Sequence, residues 1–125
     1  MMSGRVNQFR EAILNLVIIG KDKSKLAVEA VIDTGFNGDV ILPIDIVLSL
    51  GLELQGYQES VLGDGTIAKF PVYLGTVIWD GQKQIVEINA ATTGSLIGMG
   101  LLEGYKLEID SISNGVVSIT SLDLK

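Results

Sequence analysis

The chain has 125 residues, 47% of them hydrophobic, and a formal net charge of -6 at pH 7. This size and apolar content are typical of one compact soluble domain, and the acidic balance disfavours nucleic acid and anionic membranes as partners, since no basic stripe is present. The sequence contains no Cys and no His, which excludes disulfides, thiolate nucleophiles, zinc-thiolate sites and any Ser-His relay. Catalysis, if there is any, must therefore depend on carboxylates.

The first apolar run, residues 12–19, follows Arg5 and Arg10 and could be taken for the core of a signal peptide. Glu11 adjoins it, Asn15 interrupts it, and no small-residue cleavage site follows, so a strand is the better interpretation. Eight residues are also too few to span a bilayer. Without a signal peptide, we expect a cytoplasmic location.

Further apolar runs separated by glycine predict a protein made mostly of β-strands. With the first run, they lie at residues 12–19, 26–32, 39–42, 57–62, 66–78, 83–91, 105–109 and 115–120. Turn residues at 21–24, 63–65, 80–81 and 114–115 predict that most neighbouring strands are antiparallel. Short helical segments are predicted after Pro43, ending at Gly51, and at residues 99–103. Eight strands and 15 glycines favour a small barrel or sandwich.

Asp33 is the first candidate for chemistry, because it ends an almost wholly apolar strand and begins the triplet Asp33-Thr34-Gly35. An ionised acid at such a position costs free energy unless hydrogen bonds or a shared proton compensate. A plain turn, in which Asp33 accepts backbone N–H bonds, is the alternative interpretation.

Three motifs occur in an order that identifies a family. They are Asp33-Thr34-Gly35, the glycine-rich hairpin Gly63-Asp64-Gly65, and Leu96-Ile97-Gly98 followed by Leu101-Leu102. In this order the chain resembles the retropepsin-like aspartic proteases, most closely their small single-domain bacterial members. The resemblance implies one domain over residues 1–125, with an all-β fold: a closed retropepsin-like (acid protease) β-barrel, a flap hairpin and one or two short helices.

The resemblance also implies an activity, an aspartic endopeptidase that works as a homodimer. Each chain would contribute Asp33, and the two carboxylates would share one proton and activate a water for attack on the peptide bond. Two close carboxylates titrate in separate steps, one as base and one as acid, and aspartic proteases are the usual example. The expected partners are a second copy of the chain and a peptide or protein substrate; no metal or other cofactor is implied.

The resemblance assigns supporting roles to residues near Asp33. Thr34 would bond to its mate across the dimer axis, and Gly35 would let its backbone approach the carboxylate. Leu96 and Ile97 correspond to the hydrophobic pair beneath the catalytic loop. Gly98 corresponds to the glycine that lets the chain cross there.

Substrate-binding residues are also implied. Residues 60–70 correspond to the flap that closes over an extended peptide, with a mobile tip at Gly63, Asp64 and Gly65. Phe36 stands where well-studied members carry Ser or Ala, so its ring either fills part of the peptide pocket or packs inward.

Dimer geometry is implied less directly. Met99 replaces the charged residue with which viral members tie their dimer, although the first and last segments would still pair with those of the second subunit. The alternative function is a catalytically inactive retropepsin-like module that binds peptides or assembles partners.

Overall fold

The computed structural model describes residues 1–123, so the last two residues of the predicted domain lie outside the described residues. The described chain consists mostly of strands, as predicted. The elements are β1 (Met2–Val6), β2 (Ala12–Ile19), β3 (Lys25–Ile32), β4 (Val40–Pro43), α1 (Ile44–Ser49), β5 (Glu53–Val61), β6 (Ile67–Trp79), β7 (Gln82–Ala91), β8 (Leu96–Ile97), α2 (Met99–Leu102), β9 (Tyr105–Ile109) and β10 (Val116–Ser121). All eight predicted strands and both helical segments form, whereas β1 and β8 were not predicted.

The strands of residues 1–123 belong to one sheet, in the order β5-β6-β7-β4-β8-β3-β2-β1-β10-β9. β6 pairs with β2 as well, so the sheet folds back on itself. Most neighbours are antiparallel, as the turn residues predicted, but β3 is parallel to β8 and β4 is parallel to β7. The parallel pairs bring the ends of β3 and β4 together with a distant part of the chain.

The core is built from alternating side chains, because successive residues of a strand point to opposite faces. β2 shows this clearly: Leu14, Leu16 and Ile18 are buried, while Asn15 is exposed. The buried side chains of β4, β7 and β8, which include Leu42, Ile88 and Ile97, pack in the same cluster. This core fixes the strand ends from which the candidate site is formed.

Local backbone signals behave as the sequence predicted. Asp80 and Asn114 adopt positive φ in their hairpin turns, and Gly51, with a φ of 65°, follows α1. No helix within residues 1–123 has the length and apolar character needed to cross a membrane.

The terminal strands pair with each other within one chain. β1 pairs with β10, from Met2 opposite Ile119 to Arg5 opposite Val116, and its other edge pairs with β2. β10 also pairs with β9. β10 is therefore paired along both edges within one chain, whereas β1 pairs with β2 only at Arg5 and Val6. The pairing of these terminal segments with a second subunit stays a prediction. Because backbone groups already bonded cannot bond again without being released, a second copy that pairs here must use the groups left unpaired within the chain.

Candidate active site

Asp33 lies immediately after β3, in a turn that is stabilised from both sides. Its N–H donates to Ile97 O at 2.8 Å, and its own carbonyl accepts a bond from Phe36 N at 3.1 Å. Its Oδ1 accepts a bond from Gly35 N at 2.9 Å. The side chain is partly buried, whereas Thr34 and Gly35 are exposed. The turn therefore holds one carboxylate oxygen in a fixed position and presents its neighbours to solvent.

The predicted hydrophobic pair lies directly beside this turn. β8, which consists of Leu96 and Ile97, runs parallel to β3, with Ile32 opposite Ile97. On its other side β8 pairs with β4, where Val40 is opposite Ile97. Ile97 and Val40 are fully buried, and Leu96 is partly buried. β8 is thus a central brace between the strand that enters the turn and the strand that leaves it.

Gly98 lies where two chain segments cross. Its N–H donates to Asp39 O at 3.0 Å, and the next two N–H groups, of Met99 and Gly100, donate to Phe36 O and Gly38 O. A Cβ on Gly98 would collide with Gly38 O and with the Phe36 ring, and would lie 2.7 Å from Phe36 O. Its φ of -105° and ψ of 179° suit any residue, so close approach alone requires glycine here.

Phe36 is half-buried and forms part of the wall of a cavity. Its ring lies against Gly38, where an added Cβ would be 2.6 Å from the ring Cζ, and against Gly98. The same side chain lines a cavity of about 360 Å³, which we call the Phe36 pocket. Its lining residues are Phe36, Asn37, Gly38, Ile41, Gln58, Ser60, Phe70, Asn89, Ala90 and Ala91. Asp33 is not among them, so the pocket lies beside the acid rather than around it.

The predicted flap is the hairpin of β5 and β6. At its tip Leu62 N donates to Thr66 O at 2.8 Å, and Asp64 Oδ1 accepts bonds from Thr66 Oγ1 at 2.6 Å and Thr66 N at 3.0 Å. Both bonds hold the pKa of Asp64 below its ordinary value of 3.8, and the bond from the Thr66 hydroxyl has the larger effect. The carboxylate therefore closes the tip of the hairpin.

The hairpin does not contribute its tip to the Phe36 pocket. Gly63 and Gly65 are exposed, with no atom within 4 Å of an added Cβ. The structure thus brings Asp33, Thr34, Gly35, Phe36, Leu96, Ile97 and Gly98 together, and it places Gly63, Asp64 and Gly65 apart from them. The hairpin lines the pocket through its strand residues Gln58, Ser60 and Phe70 instead.

Sequence reasoning missed two parts of this region. Asp39 Oδ2 accepts a bond from Glu87 N at 3.1 Å, which ties the segment after the Asp33 turn to β7. Asn89 Nδ2 donates to Gln58 Oε1 at 3.4 Å, which links β7 to the flap. No motif or period relates residues so far apart, and the sequence therefore carries no signal for either contact.

Metal ligands do not gather in the described part of the chain. No group of three or more Asp or Glu side chains within residues 1–123 is placed to hold a metal ion.

Comparison with known proteins identifies the fold. The sequence matches no protein-family model and no curated protein. The structure is similar to the crystal structure of a retropepsin-like aspartic protease from Rickettsia conorii, with a TM-score of 0.59 and 18% sequence identity. The similarity covers 96% of this chain and 91% of that chain. The protein thus has a retropepsin-like fold, as its sequence motifs implied.

Proposed function

We propose that this protein is an aspartic endopeptidase that acts as a homodimer, with Asp33 of each chain as general acid and base. One observation carries the proposal: in a retropepsin-like fold, Asp33 is held partly exposed in an Asp-Thr-Gly turn braced by β8. The similar protein from Rickettsia conorii is itself described as an aspartic protease.

The geometry of Asp33 suits a shared proton. Oδ1 is engaged by the Gly35 N–H, so Oδ2 is left to face a water or a second carboxylate. Two carboxylates brought close together cannot both ionise easily, and in the proposed mechanism the active pair shares one proton. The ionised member takes a proton from the water, and the protonated member donates to the peptide carbonyl or leaving amine.

The dimer is a necessary part of this mechanism, because the catalytic turn provides one Asp per chain. Thr34 and Gly35 are exposed at the turn, and Met99, which follows the crossing glycine, is 46% exposed. We propose that these residues face the second copy, with Thr34 donating to its mate.

The architecture that supports the turn is proposed to be a closed barrel within a single domain of residues 1–125. The pairings run from β6 through β7, β4, β8 and β3 to β2, which pairs again with β6. A ring of this kind leaves the strands beside Asp33 without free edges, and it favours a rigid catalytic turn.

A non-catalytic peptide-binding module is the second candidate function. It is favoured by the bulk of Phe36, whose ring occupies space beside the turn where the well-studied proteases have a small residue. In that case the pocket would bind a peptide or partner and release no cleavage product.

A peptidase assay on Asp33→Asn tests the proposal. The amide oxygen of Asn can still accept from Gly35 N, so the turn and fold should persist while turnover falls by about a hundredfold or more. Thr92→Ala, in the exposed loop before β8, serves as a matched control with unchanged activity. Equal turnover in Asp33→Asn and in the wild type would refute a catalytic Asp33.

Sedimentation equilibrium over a range of concentrations tests the dimer. A monomer–dimer equilibrium whose dimer fraction tracks the specific activity is expected. A protein that cleaves peptides while remaining monomeric would overturn the shared carboxylate pair. Peptide binding without any cleavage by the wild type would favour the second candidate.

A further inference from the structure

Two carboxamide side chains meet at the mouth of the Phe36 pocket. Asn89 on β7 and Gln58 on β5 lie on either side of β6, where Gln58 is opposite Phe70 and Asn89 is opposite Val72. Asn89 Nδ2 donates to Gln58 Oε1 at 3.4 Å, which is long for an N–H to oxygen bond and correspondingly weak. A ligand that offers better bonds can therefore separate the pair.

The pair retains unused hydrogen-bonding capacity. A carboxamide carries two N–H donors and an oxygen with two lone pairs, and this contact uses one donor of Asn89 and one lone pair of Gln58. Within residues 1–123, Asn89 Oδ1 and Gln58 Nε2 form no other side-chain bond. The pocket therefore presents one acceptor and one donor side by side.

The remaining walls favour an uncharged occupant. Phe36, Phe70 and Ile41 supply apolar surface, and none of the described residues that line the pocket carries a charge. A charged side chain of Asp, Glu, Lys or Arg would lose part of its hydration here without gaining an ion pair, which disfavours it relative to a neutral one.

We propose that the Phe36 pocket selects a carboxamide side chain, Gln or Asn, of a peptide substrate, and that Asn89 and Gln58 determine this specificity. The incoming carbonyl accepts from Gln58 Nε2, and the incoming NH₂ group donates to Asn89 Oδ1. The methylene groups lie between Phe36 and Phe70. The proposal rests on the proposed function in that the peptide lies along the Asp33 turn, but binding does not require cleavage.

Side chains of similar size are distinguished by their polar atoms. Glu has the shape of Gln, but it has no donor for Asn89 Oδ1, and its second oxygen would face that oxygen repulsively. Leu would cover both carboxamides without bonding to either, which leaves them desolvated and unpaired. A site that hydrogen-bonds a polar group of its ligand discriminates strongly against ligands without that group. An apolar site discriminates less between ligands that differ only in size.

The experiment uses the full chain with Asp33→Asn, so that bound peptides are not cleaved. Fluorescence anisotropy measures the binding of a blocked, alanine-rich peptide that carries one Gln, Glu or Leu. The Gln peptide is expected to bind about tenfold more tightly than the other two. Equal affinities, or no binding of any of the three, would overturn the proposal.

Substitutions of similar size at Gln58 and Asn89 test whether these two residues determine the preference for Gln. Adding Gln58→Met or Asn89→Leu to Asp33→Asn should remove the preference for Gln and improve binding of the Leu peptide. Gln84→Met, in the distant β6–β7 hairpin, is the control and should preserve the preference. An unchanged ratio of affinities in Gln58→Met and Asn89→Leu would also overturn the proposal.

The two proposals fail in different ways. If the wild type cleaves no peptide but Asp33→Asn prefers Gln, the endopeptidase function fails and the specificity stands. If the wild type cleaves and kcat/KM is the same for Gln, Glu and Leu peptides, the specificity fails and the function stands.

Discussion

Replacing Gly98 by alanine should destabilise the protein, because the new methyl group has no room where the chain segments cross. It would collide with Gly38 O and the Phe36 ring, and would lie 2.7 Å from Phe36 O. Two of these three obstacles are backbone oxygens, and both are already bonded, to the N–H groups of Gly100 and Met99. Neither can move without disturbing the segment that follows the Asp33 turn.

The magnitude follows from this geometry. Forcing an extra methyl group into packed structure costs about 1–3 kcal/mol. Displacing one of the two crossing hydrogen bonds adds about 0.5–1.5 kcal/mol. We therefore expect the free energy of unfolding to fall by about 2–4 kcal/mol, with a decrease in Tm of roughly 8–15 °C. A protein of ordinary stability, about 5–15 kcal/mol, would remain folded.

Urea unfolding followed by circular dichroism measures the change, at one fixed protein concentration because association alters apparent stability. Gly94→Ala is the matched control, since an added Cβ there meets nothing within 4 Å. Adding Phe36→Ala should rescue Gly98→Ala only in part, as the backbone obstacles remain. If the free energies of unfolding of Gly98→Ala and Gly94→Ala agreed within about 0.5 kcal/mol, the close approach of the two chain segments would not be the reason for glycine at position 98.

Two further predictions concern pH. The Thr66 hydroxyl and N–H lower the pKa of Asp64, so these bonds should hold the flap tip fully above pH 3.8 and be lost as the pH falls through the lowered value. The NMR shift of the Thr66 amide should therefore have its midpoint below pH 3.8, and a midpoint at or above 3.8 would contradict this. Burial, followed by the charge and hydrogen bond of Asp80, raises the pKa of Tyr105 above 10.0. The neutral Tyr105 side chain should therefore contribute fully to stability below pH 10.0, and this contribution should be lost as the pH rises through the raised pKa. Asp80→Asn should lower the Tyr105 pKa only part of the way, as ultraviolet titration against Tyr105→Phe would show; an unchanged midpoint would exclude the contribution of Asp80.

The strands could be predicted from the sequence where burial of one face makes apolar residues recur at a regular spacing. β2 was predicted with the bounds that it has in the structure, because it combines an apolar run with alternating burial. β1 was missed because Met-Ser-Gly-Arg-Val contains no apolar run, although its burial alternates along the strand. Its approach to β2 requires Gly4, since a Cβ there would collide with Ile13 O. β8 has two residues, too few to show any period.

The candidate site was predictable only through motif order. Asp33 stood out as an acid after an apolar strand, and its pairing with Leu96-Ile97-Gly98 came from family resemblance rather than from spacing. The role of Phe36 was left between filling a pocket and packing inward. In the structure the ring lies beside Gly38 and Gly98 and the side chain lines the cavity, and its part in binding a peptide stays a prediction.

The sequence by itself determined which residue types any chemistry could use and the strand-rich composition of the chain. Without Cys or His, carboxylates are left for catalysis, and alternating apolar residues bury one face of a strand wherever they occur. Only the tertiary structure decided which distant groups meet: Gly98 with Phe36, Asp39 with Glu87, and Asn89 with Gln58. These contacts depend on long-range strand pairing, whose backbone hydrogen bonds are the same for almost any side chain and therefore leave no pattern in the sequence.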